Sequence, residues 1–354
     1  MINSVFKYAY PHAKIRALKG RLLSQEHLRA LLHTESFEEV LHVLQMTSYA
    51  DSLGDSSAAD MSIPLLTRII YRSLFGDYEK TIRSVARDIQ PLFIFLYQKY
   101  ELVNLKTILR GIISHADPQD IAALLLPTEQ YTLFSKQSLL EYHEVHHVIE
   151  HLQGSFFQYP LNRALRRFEE EQEFFPLEMA LDLHYYHSLW DTTLKLPEQE
   201  RQESQRILGM WLDILNIVWI IRFKEHYHFS PEEILNYTIQ HGYAFRLRER
   251  RQLAHARGSQ EVREYLKTTF YAKAMEGESE VLNTLHVALY RYLVDQLHKC
   301  FYGNPFHIRV LLGYLLIKEF EISDILTIAE AKKYGFSLEQ SQHYVIRMGR
   351  DSYV

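Results

Sequence analysis

Residues 101–110 read ELVNLKTILR, and this stretch decides how the chain is organised. An acid, Glu101, is followed three positions on by Asn104, so the two side chains share one face of a helix that is otherwise rich in aliphatic residues. The same pattern returns as DILNIVWIIR at residues 213–222 and as EISDILTIAE at residues 321–330. Three copies identify it as one half of a degenerate internal repeat, which we name the A half.

A second pattern, which we name the B half, ends a helix with leucine, then threonine or serine three positions on, then an aromatic residue. It occurs at residues 44–49, 152–157 and 266–271, and a valine precedes each leucine by four positions. The halves alternate along the chain, which begins with a lone B half and ends with a lone A half. Because a repeat unit does not bury its apolar face by itself, we predict that these two pair and close three units into a ring with a pseudo-threefold axis.

This closure fixes the predicted domain boundaries. Module one consists of residues 1–60 together with residues 310–354 and therefore holds both chain termini. Module two covers residues 61–175, and module three covers residues 176–309.

Local sequence signals indicate an all-α fold. Apolar residues recur at helical spacing along most of the chain, and alternating strand patterns do not. Glycine and proline number only 13 and 10 among 354 residues, which is typical of long helices joined by short connections. Helix starts are marked by capping boxes at Ser230 and Ser337, each with a glutamate or glutamine three positions on, and by Asp117 followed by proline.

Composition excludes several classes of function. The net charge of −5 and the absence of a long basic run argue against a nucleic-acid partner. Cys300 is the single cysteine, which excludes an internal disulfide and fits a reducing cytosol. We expect no secretion signal at the start of the chain. The most apolar stretch, residues 207–221, is shorter than a bilayer-spanning helix and contains Asp213 and Asn216, so we predict no direct membrane span.

Residues 143–147 read HEVHH and match the zinc-peptidase signature H-E-x-x-H. Such a site requires His143 and His147 on one helical face, Glu144 as general base and a third protein ligand, for which residues 169–171 offer three glutamates. However, a chain with 19 histidines produces such a short match readily by chance.

Position in the repeat argues against the peptidase interpretation. The residues that correspond to His143 and His147 in the other two B halves are Glu35 with Glu39 and Arg257 with Glu261, which are typical of solvated positions. We therefore predict no stoichiometric zinc. The sequence also contains neither a phosphate-binding P-loop nor a G-x-S-x-G elbow, so we predict no nucleotide site, no other cofactor and no catalytic residue.

The polar residues of the A halves allow two interpretations. They cap or cross-link neighbouring helices, or three copies of the stripe face a common axis and meet a partner such as a shaft. For the second interpretation the candidate interface residues are Glu101, Asn104, Arg110, Asp213, Asn216, Arg222, Glu321, Asp324 and Lys332.

Several stretches resemble a known family when they are taken in order and at their spacing. They are YAY at residues 8–10 with IRALKGRLL at 15–23, NLKTILRG at 104–111, LEMALDLHYY at 177–186, GMWLDILN at 209–216 and LGYLLIKE at 312–319. Together they resemble the C subunit of the V-type and A-type rotary ATPases, the counterpart of the eukaryotic d subunit. The resemblance covers essentially the whole chain.

This resemblance implies a fold, a location and a role. The fold would be a funnel of helices in three related modules with a central cavity, on the cytoplasmic face of the membrane. The implied partners are the central-shaft subunits and the membrane rotor ring, and the implied role is non-catalytic coupling of the shaft to the ring for proton or sodium transport. The chain departs from the family at Asp324, where an asparagine-led run is usual. The alternative is a helical scaffold or adaptor outside rotary motors.

Overall fold

The computed structural model describes residues 2–54, 60–276 and 285–348, and within these ranges regular secondary structure is entirely helical. The all-α prediction is confirmed. The helices are α1 (Ile2–Lys19), α2 (Gln25–Leu32), α3 (Phe37–Gln45), α4 (Ala50–Leu53), α5 (Ile63–Ser84), α6 (Gln90–Ile113), α7 (Pro118–Leu124), α8 (Lys136–Leu139), α9 (Val145–His151), α10 (Gln158–Glu171), α11 (Phe175–Leu194), α12 (Glu198–Arg222), α13 (Pro231–Asn236), α14 (Leu247–His255), α15 (Ser259–Leu266), α16 (Leu285–Lys299), α17 (Ile308–Lys333) and α18 (Leu338–Gln342).

The predicted helix starts are confirmed at atomic detail. Ser230 accepts a hydrogen bond from the Glu233 N–H at 3.3 Å, and the Glu233 carboxylate accepts one from the Ser230 N–H at 2.9 Å. Ser337 and Gln340 form the same reciprocal pair. These boxes satisfy N–H groups that the first turn of a helix leaves without partners.

The chain divides into two compact units. One consists of Met1–Ile63 with Leu196–Val354, and the other of Pro64–Lys195. In the second unit α6 packs against α11, which in turn packs against α10. Its core contains an aromatic cluster of Phe75, Tyr78, Tyr97 and Tyr100, with ring centroids 5.0–6.1 Å apart.

In the first unit the central element is α17, whose 26 residues are buried over most of their circumference. Such a helix is apolar on several faces because other helices cover it on several sides. It packs against α12 and α16, and also against α1, α2 and α3 near the start of the chain. The N-terminal and C-terminal segments of this unit therefore share one core.

The A halves lie on the three longest of the described helices, α6, α12 and α17, and the B halves begin at the ends of the short helices α3, α9 and α15. Each long helix ends in a turn with a residue at positive φ: His115 at 54°, His228 at 52° and Gly335 at 75°. A residue in this conformation stops a helix and reverses the chain. The repeat seen in the sequence thus corresponds to a recurring local structure.

Within the described ranges, none of the helices combines the length and the apolar character that crossing a bilayer requires.

Candidate functional site

Each A half forms a cluster that we name a polar clamp: the acid and its partner three residues on hold the backbone of a loop that follows the helix. In the first clamp, Asn104 Oδ1 accepts the Leu126 N–H at 2.7 Å, and Asn104 Nδ2 donates to the Leu126 carbonyl at 3.0 Å. The Thr128 hydroxyl donates a hydrogen bond to the Glu101 carboxylate. Lys136 Nζ donates to the Leu126 carbonyl at 3.3 Å, so a cation also binds the loop.

The second clamp repeats this arrangement. Asn216 Oδ1 accepts the Ile239 N–H at 2.8 Å, and its Nδ2 donates to the Ile239 carbonyl at 2.9 Å. The Arg250 guanidinium donates to the same carbonyl. Asp213 accepts backbone N–H groups of the loop, including that of Ala244 at 2.7 Å. The amide side chain thus satisfies both polar groups of one backbone residue in each of these clamps.

The third clamp carries an aspartate instead of an asparagine, and its bonding changes accordingly. Asp324 has no N–H to donate, and it accepts two consecutive backbone N–H groups, from Ile346 at 2.6 Å and Arg347 at 2.8 Å. The Val345 carbonyl next to them receives the Arg291 guanidinium at 2.8 Å. At Asp324 the loop carbonyl is therefore bound by a cation alone, whereas in the other two clamps an amide N–H binds it together with the cation.

The acid of the third clamp, Glu321, connects α17 to three other parts of the first unit. It accepts the Leu23 N–H at 2.6 Å and the Tyr49 hydroxyl at 2.9 Å, both from near the start of the chain. It also forms ion pairs with Lys318, at 2.9 Å, and with Arg347. All of these groups are buried, so the ion pairs lie in a low-dielectric interior.

The B halves supply a tyrosine to two of the clamps. The Tyr49 hydroxyl donates to Glu321, and the Tyr271 hydroxyl donates to Asp213 at 2.8 Å. In each B half the threonine or serine hydroxyl accepts the N–H of the aromatic residue two positions on, at 3.2–3.3 Å. This hydroxyl fixes the turn after the helix and explains its recurrence in the sequence.

In the first clamp the corresponding aromatic residue is Phe157, which has no hydroxyl group. The Thr128 hydroxyl donates to Glu101 in its place. All three acids therefore accept a side-chain hydroxyl, although it comes from two different positions in the repeat.

Burial and neighbouring charges shift the pKa values of the acids in the second and third clamps. Burial raises the pKa of Asp213 to about 6 and that of Asp324 to about 7, against the opposing effect of the backbone N–H groups that bind them. Burial would raise the pKa of Glu321 too, but the charges of Lys318 and Arg347 outweigh it and lower that pKa below its usual value. Glu321 is therefore ionised at neutral pH.

The HEVHH stretch does not form the helical geometry of a zinc peptidase. Helix α9 begins at Val145 with Glu144 as its N-cap, so His143 lies before the helix. His147 Nδ1 lies 3.9 Å from the Glu144 carboxylate, and both side chains are exposed. Over residues 2–54, 60–276 and 285–348, no three histidine, cysteine, aspartate or glutamate side chains are grouped so that they could hold a metal ion.

The family model for the ATP synthase (C/AC39) subunit matches residues 11–344 of the chain. The chain belongs to this family. The resemblance to the C subunit of rotary ATPases is thereby confirmed, and as a member of the C/AC39 family the chain is a non-catalytic subunit of a rotary ATPase.

Three relatives show that the similarity covers nearly the whole chain. All three are C subunits of A-type ATP synthases. The protein of Methanosarcina mazei is 25% identical over 94% of this chain and 91% of its own length. The protein of Methanocaldococcus jannaschii is 24% identical over 98% of this chain and 88% of its own length. The protein of Archaeoglobus fulgidus is 23% identical over 98% of this chain and 99% of its own length. The chain is thus similar to these proteins from one end to the other.

The nine candidate interface residues fall into two groups. The six members of the acid and amide pairs have no exposed surface and bind the protein itself. The three cations are more accessible: Arg110 and Arg222 are exposed, and Lys332 is half-buried. Arg110 donates to Glu178 at 3.3 Å. Contact of any of the nine with a shaft or ring stays a prediction.

Sequence reasoning missed the cations that complete the clamps. Lys136 follows the residue it binds by 10 positions and Arg250 does so by 11, so extending the repeat comparison beyond the A half would have found both. Arg291 and Arg347 do not lie 10 or 11 positions after a residue that they bind. Arg291 comes from α16, which precedes the A half that it completes, and only the folded chain brings it to the Val345 carbonyl.

Exchanging the amide and the acid between clamps should destabilise both. In Asn104→Asp a carboxylate oxygen would face the Leu126 carbonyl, which keeps only the hydrogen bond from Lys136. In Asp324→Asn an amide N–H would face the N–H of Ile346 or Arg347. We expect each substitution to lower the free energy of unfolding by about 2–3 kcal/mol, because each places two acceptors or two donors against each other in the interior.

Urea unfolding followed by circular dichroism measures these losses. Replacing exposed Glu330 by glutamine is the control, for which we expect a change within about 0.5 kcal/mol. Wild-type stability for both exchanged variants would mean that the clamps do not discriminate between acid and amide.

Proposed function

We propose that this chain is the rotor subunit that couples the central shaft of a V/A-type ATPase or ATP synthase to its membrane rotor ring, in ATP-linked transport of protons or sodium ions. The observation that carries the proposal is the family match over residues 11–344, together with relatives that are C subunits of A-type ATP synthases. The chain itself performs no bond chemistry in this role.

A coupling subunit must resist twisting, and the polar clamps support such a role. Helices α6, α12 and α17 are 24, 25 and 26 residues long, and each is tied by a buried clamp to a loop 22 or 23 residues away in the sequence. Hydrogen bonds in a low-dielectric interior are stronger than in water, and networks of them make a structure rigid. Torque applied to one helix would therefore pass to the segments around it with little loss.

We further propose that the chain forms three related modules, closed into a funnel whose central cavity receives the shaft. The modules would be residues 1–60 with 310–354, residues 61–175 and residues 176–309. The hydrogen bonds from Leu23 and Tyr49 to Glu321 support the pairing of the first and last segments. Parts of this division, at residues 1, 55–59, 277–284 and 349–354, lie outside the described residues.

The accessible cations are the strongest interface candidates among the nine residues. Arg110, Arg222 and Lys332 follow the buried pairs on the same three helices, so the clamps would hold them in place. We place this interface, and the subunit, on the cytoplasmic face of the membrane, in peripheral association with the ring.

Removing the subunit from the complex tests the proposal. We expect an ATPase that lacks this chain to hydrolyse ATP but not to pump ions into proteoliposomes, and re-addition of the purified chain should restore pumping. Unchanged ion pumping without the chain would favour the alternative of a helical scaffold outside rotary motors.

A further inference from the structure

The turns that follow α12 and α17 place three aromatic residues at equivalent positions. The capping residues Ser230 and Ser337 set the register between the two repeats. Counted from these serines, Tyr227, Phe229 and Tyr237 correspond one by one to a second triad at the end of the chain. The second triad consists of Tyr334, Phe336 and Tyr344.

After α12 the chain fills the space between the three rings itself. The ring of Phe223 lies among them, with centroids 6.1 Å from Tyr227, 5.9 Å from Phe229 and 6.0 Å from Tyr237. Phe223 is 2% exposed. Phe223 lies at the start of a single π-helical turn, Phe223–Tyr227. This turn contains one extra residue, so the alignment of the two repeats shifts by one position between the A half and the capping serine.

After α17 the filling side chains are absent and a cavity remains. Counted from the acid of each A half, Phe223 corresponds to Ala331 and Trp219 to Thr327. Counted from the capping serines, buried Ile234 corresponds to Ser341. All three large apolar residues are thus replaced by small ones.

The resulting cavity has a volume of about 410 Å³, within the range of pockets that bind ligands in proteins. Its lining includes Ala331, Ser341 and the aromatic triad, whose members are exposed: Tyr334 by 74%, Phe336 by 53% and Tyr344 by 45%. We name this cavity the aromatic socket. Large aromatic side chains exposed around a cavity are typical of a binding surface.

The first repeat fills the position of Phe223 in another way and leaves a smaller cavity of about 220 Å³ beside Ile121. Gly111 stands at the position of Phe223, and the Ile121 side chain fills the gap, with its Cδ1 2.5 Å from where a Cβ on Gly111 would lie. One repeat uses a phenylalanine, another uses an isoleucine against a glycine, and the repeat at the end of the chain provides neither.

We propose that the aromatic socket binds an aromatic side chain of a partner polypeptide in the rotary complex, in the way that the equivalent space after α12 binds Phe223. Glu330 also lines the socket, whereas Arg222 stands at the corresponding position after α12. The carboxylate favours a partner segment in which a lysine or arginine neighbours the aromatic residue. The identity of the partner as a member of the same complex rests on the proposed function.

Filling the socket from inside tests the inference. The double variant Ala331→Phe with Ser341→Ile rebuilds the packing seen after α12. We expect it to unfold at a temperature no lower than the wild type, and to bind the ATPase complex that lacks this chain about 30-fold more weakly, because the partner residue is displaced. Ser323→Phe adds the same ring to an exposed position of α17 and is the matched control, with wild-type binding expected.

Equal binding by the filled variant and the wild type would overturn the inference but leave the proposed function standing. Equal weakening by Ser323→Phe would also overturn it, since the effect would not be specific to the socket. Failure of the wild-type chain itself to bind the complex would overturn the proposed function, and the inference with it.

A second measurement does not depend on the filled variant folding correctly. A photo-reactive benzoylphenylalanine in place of Tyr334 is cross-linked in the assembled complex, and the product is mapped by mass spectrometry. We expect a cross-link to an aromatic-containing segment of another subunit. A cross-link back to this chain, or to a second copy of it, would overturn the inference.

Discussion

Replacing Glu321 by alanine should lower the free energy of unfolding by about 3–5 kcal/mol, one of the two largest effects that we expect in this molecule. The carboxylate pairs with Lys318 and Arg347, whose side chains are only 4% and 5% exposed. It also accepts hydrogen bonds from the Leu23 N–H and the Tyr49 hydroxyl. Its removal leaves two buried cations without their counter-ion and two donors without an acceptor. Chemical denaturation of the purified chain measures the loss.

Two comparisons separate this effect from simple loss of side-chain volume. Glu330→Ala truncates an exposed glutamate on the same helix and should change stability by about 0.5 kcal/mol or less. The triple variant Glu321→Leu, Lys318→Met and Arg347→Met removes all three charges and should recover much of the loss, since apolar residues often replace buried ion pairs without cost. A Glu321→Ala variant as stable as the Glu330 control would show that the ion pairs contribute nothing.

A chain that ends at Tyr344 should have a free energy of unfolding lower by about 5 kcal/mol or more than a chain that ends at Met348. The two chains differ by four residues, Val345 to Met348, and this segment contains both N–H groups that bind Asp324 as well as the guanidinium that pairs with Glu321. Its loss removes both backbone donors from Asp324 and one of the two cations from Glu321, which lowers the free energy of unfolding by about 3–5 kcal/mol. It also removes buried Val345 from the core, which contributes about 1.5–3 kcal/mol more.

Thermal unfolding of the two truncated chains provides the test. We expect the chain that ends at Met348 to unfold cooperatively, and the chain that ends at Tyr344 to unfold at a much lower temperature or to aggregate on expression. Similar unfolding temperatures would mean that the third clamp is not needed for the fold.

Much of the local structure could be predicted from the sequence because short-range rules govern it. The capping boxes at Ser230 and Ser337 depend on residues three positions apart, and they form as expected. The helical class follows from apolar spacing in the same way. The periodicity of the A halves likewise predicts that their polar pairs lie on long helices, which the structure confirms for Asn104 and Asn216.

What the polar pairs do is a tertiary question that spacing does not answer. Asn104 and Asp324 occupy equivalent positions, yet one binds a backbone N–H and carbonyl and the other binds two N–H groups. That difference depends on Arg291, which reaches the loop from a separate helix. The bond between Tyr49 and Glu321 joins residues 272 positions apart, and only the pairing of unmatched half-repeats pointed to it.

Cavities are harder still to predict from sequence. A cavity forms only where none of the surrounding side chains is large enough to fill the space, and spacing along the chain does not show which side chains surround it. In the sequence, Ala331 and Ser341 are ordinary small residues on helices. Their meaning appears only beside Phe223 and Ile121, which fill the corresponding space in the other two repeats. Comparing repeats within one chain therefore provides an internal reference where a single site gives none.

The third clamp also imposes an order on biosynthesis. Leu23 leaves the ribosome 324 residues before Arg347, so the clamp that unites them cannot form until that whole stretch has been translated. The unit Pro64–Lys195 is continuous in sequence and can fold while synthesis proceeds. Helices α1, α2 and α3 pack against α17, so their apolar faces reach these partners only after α17 has been synthesised.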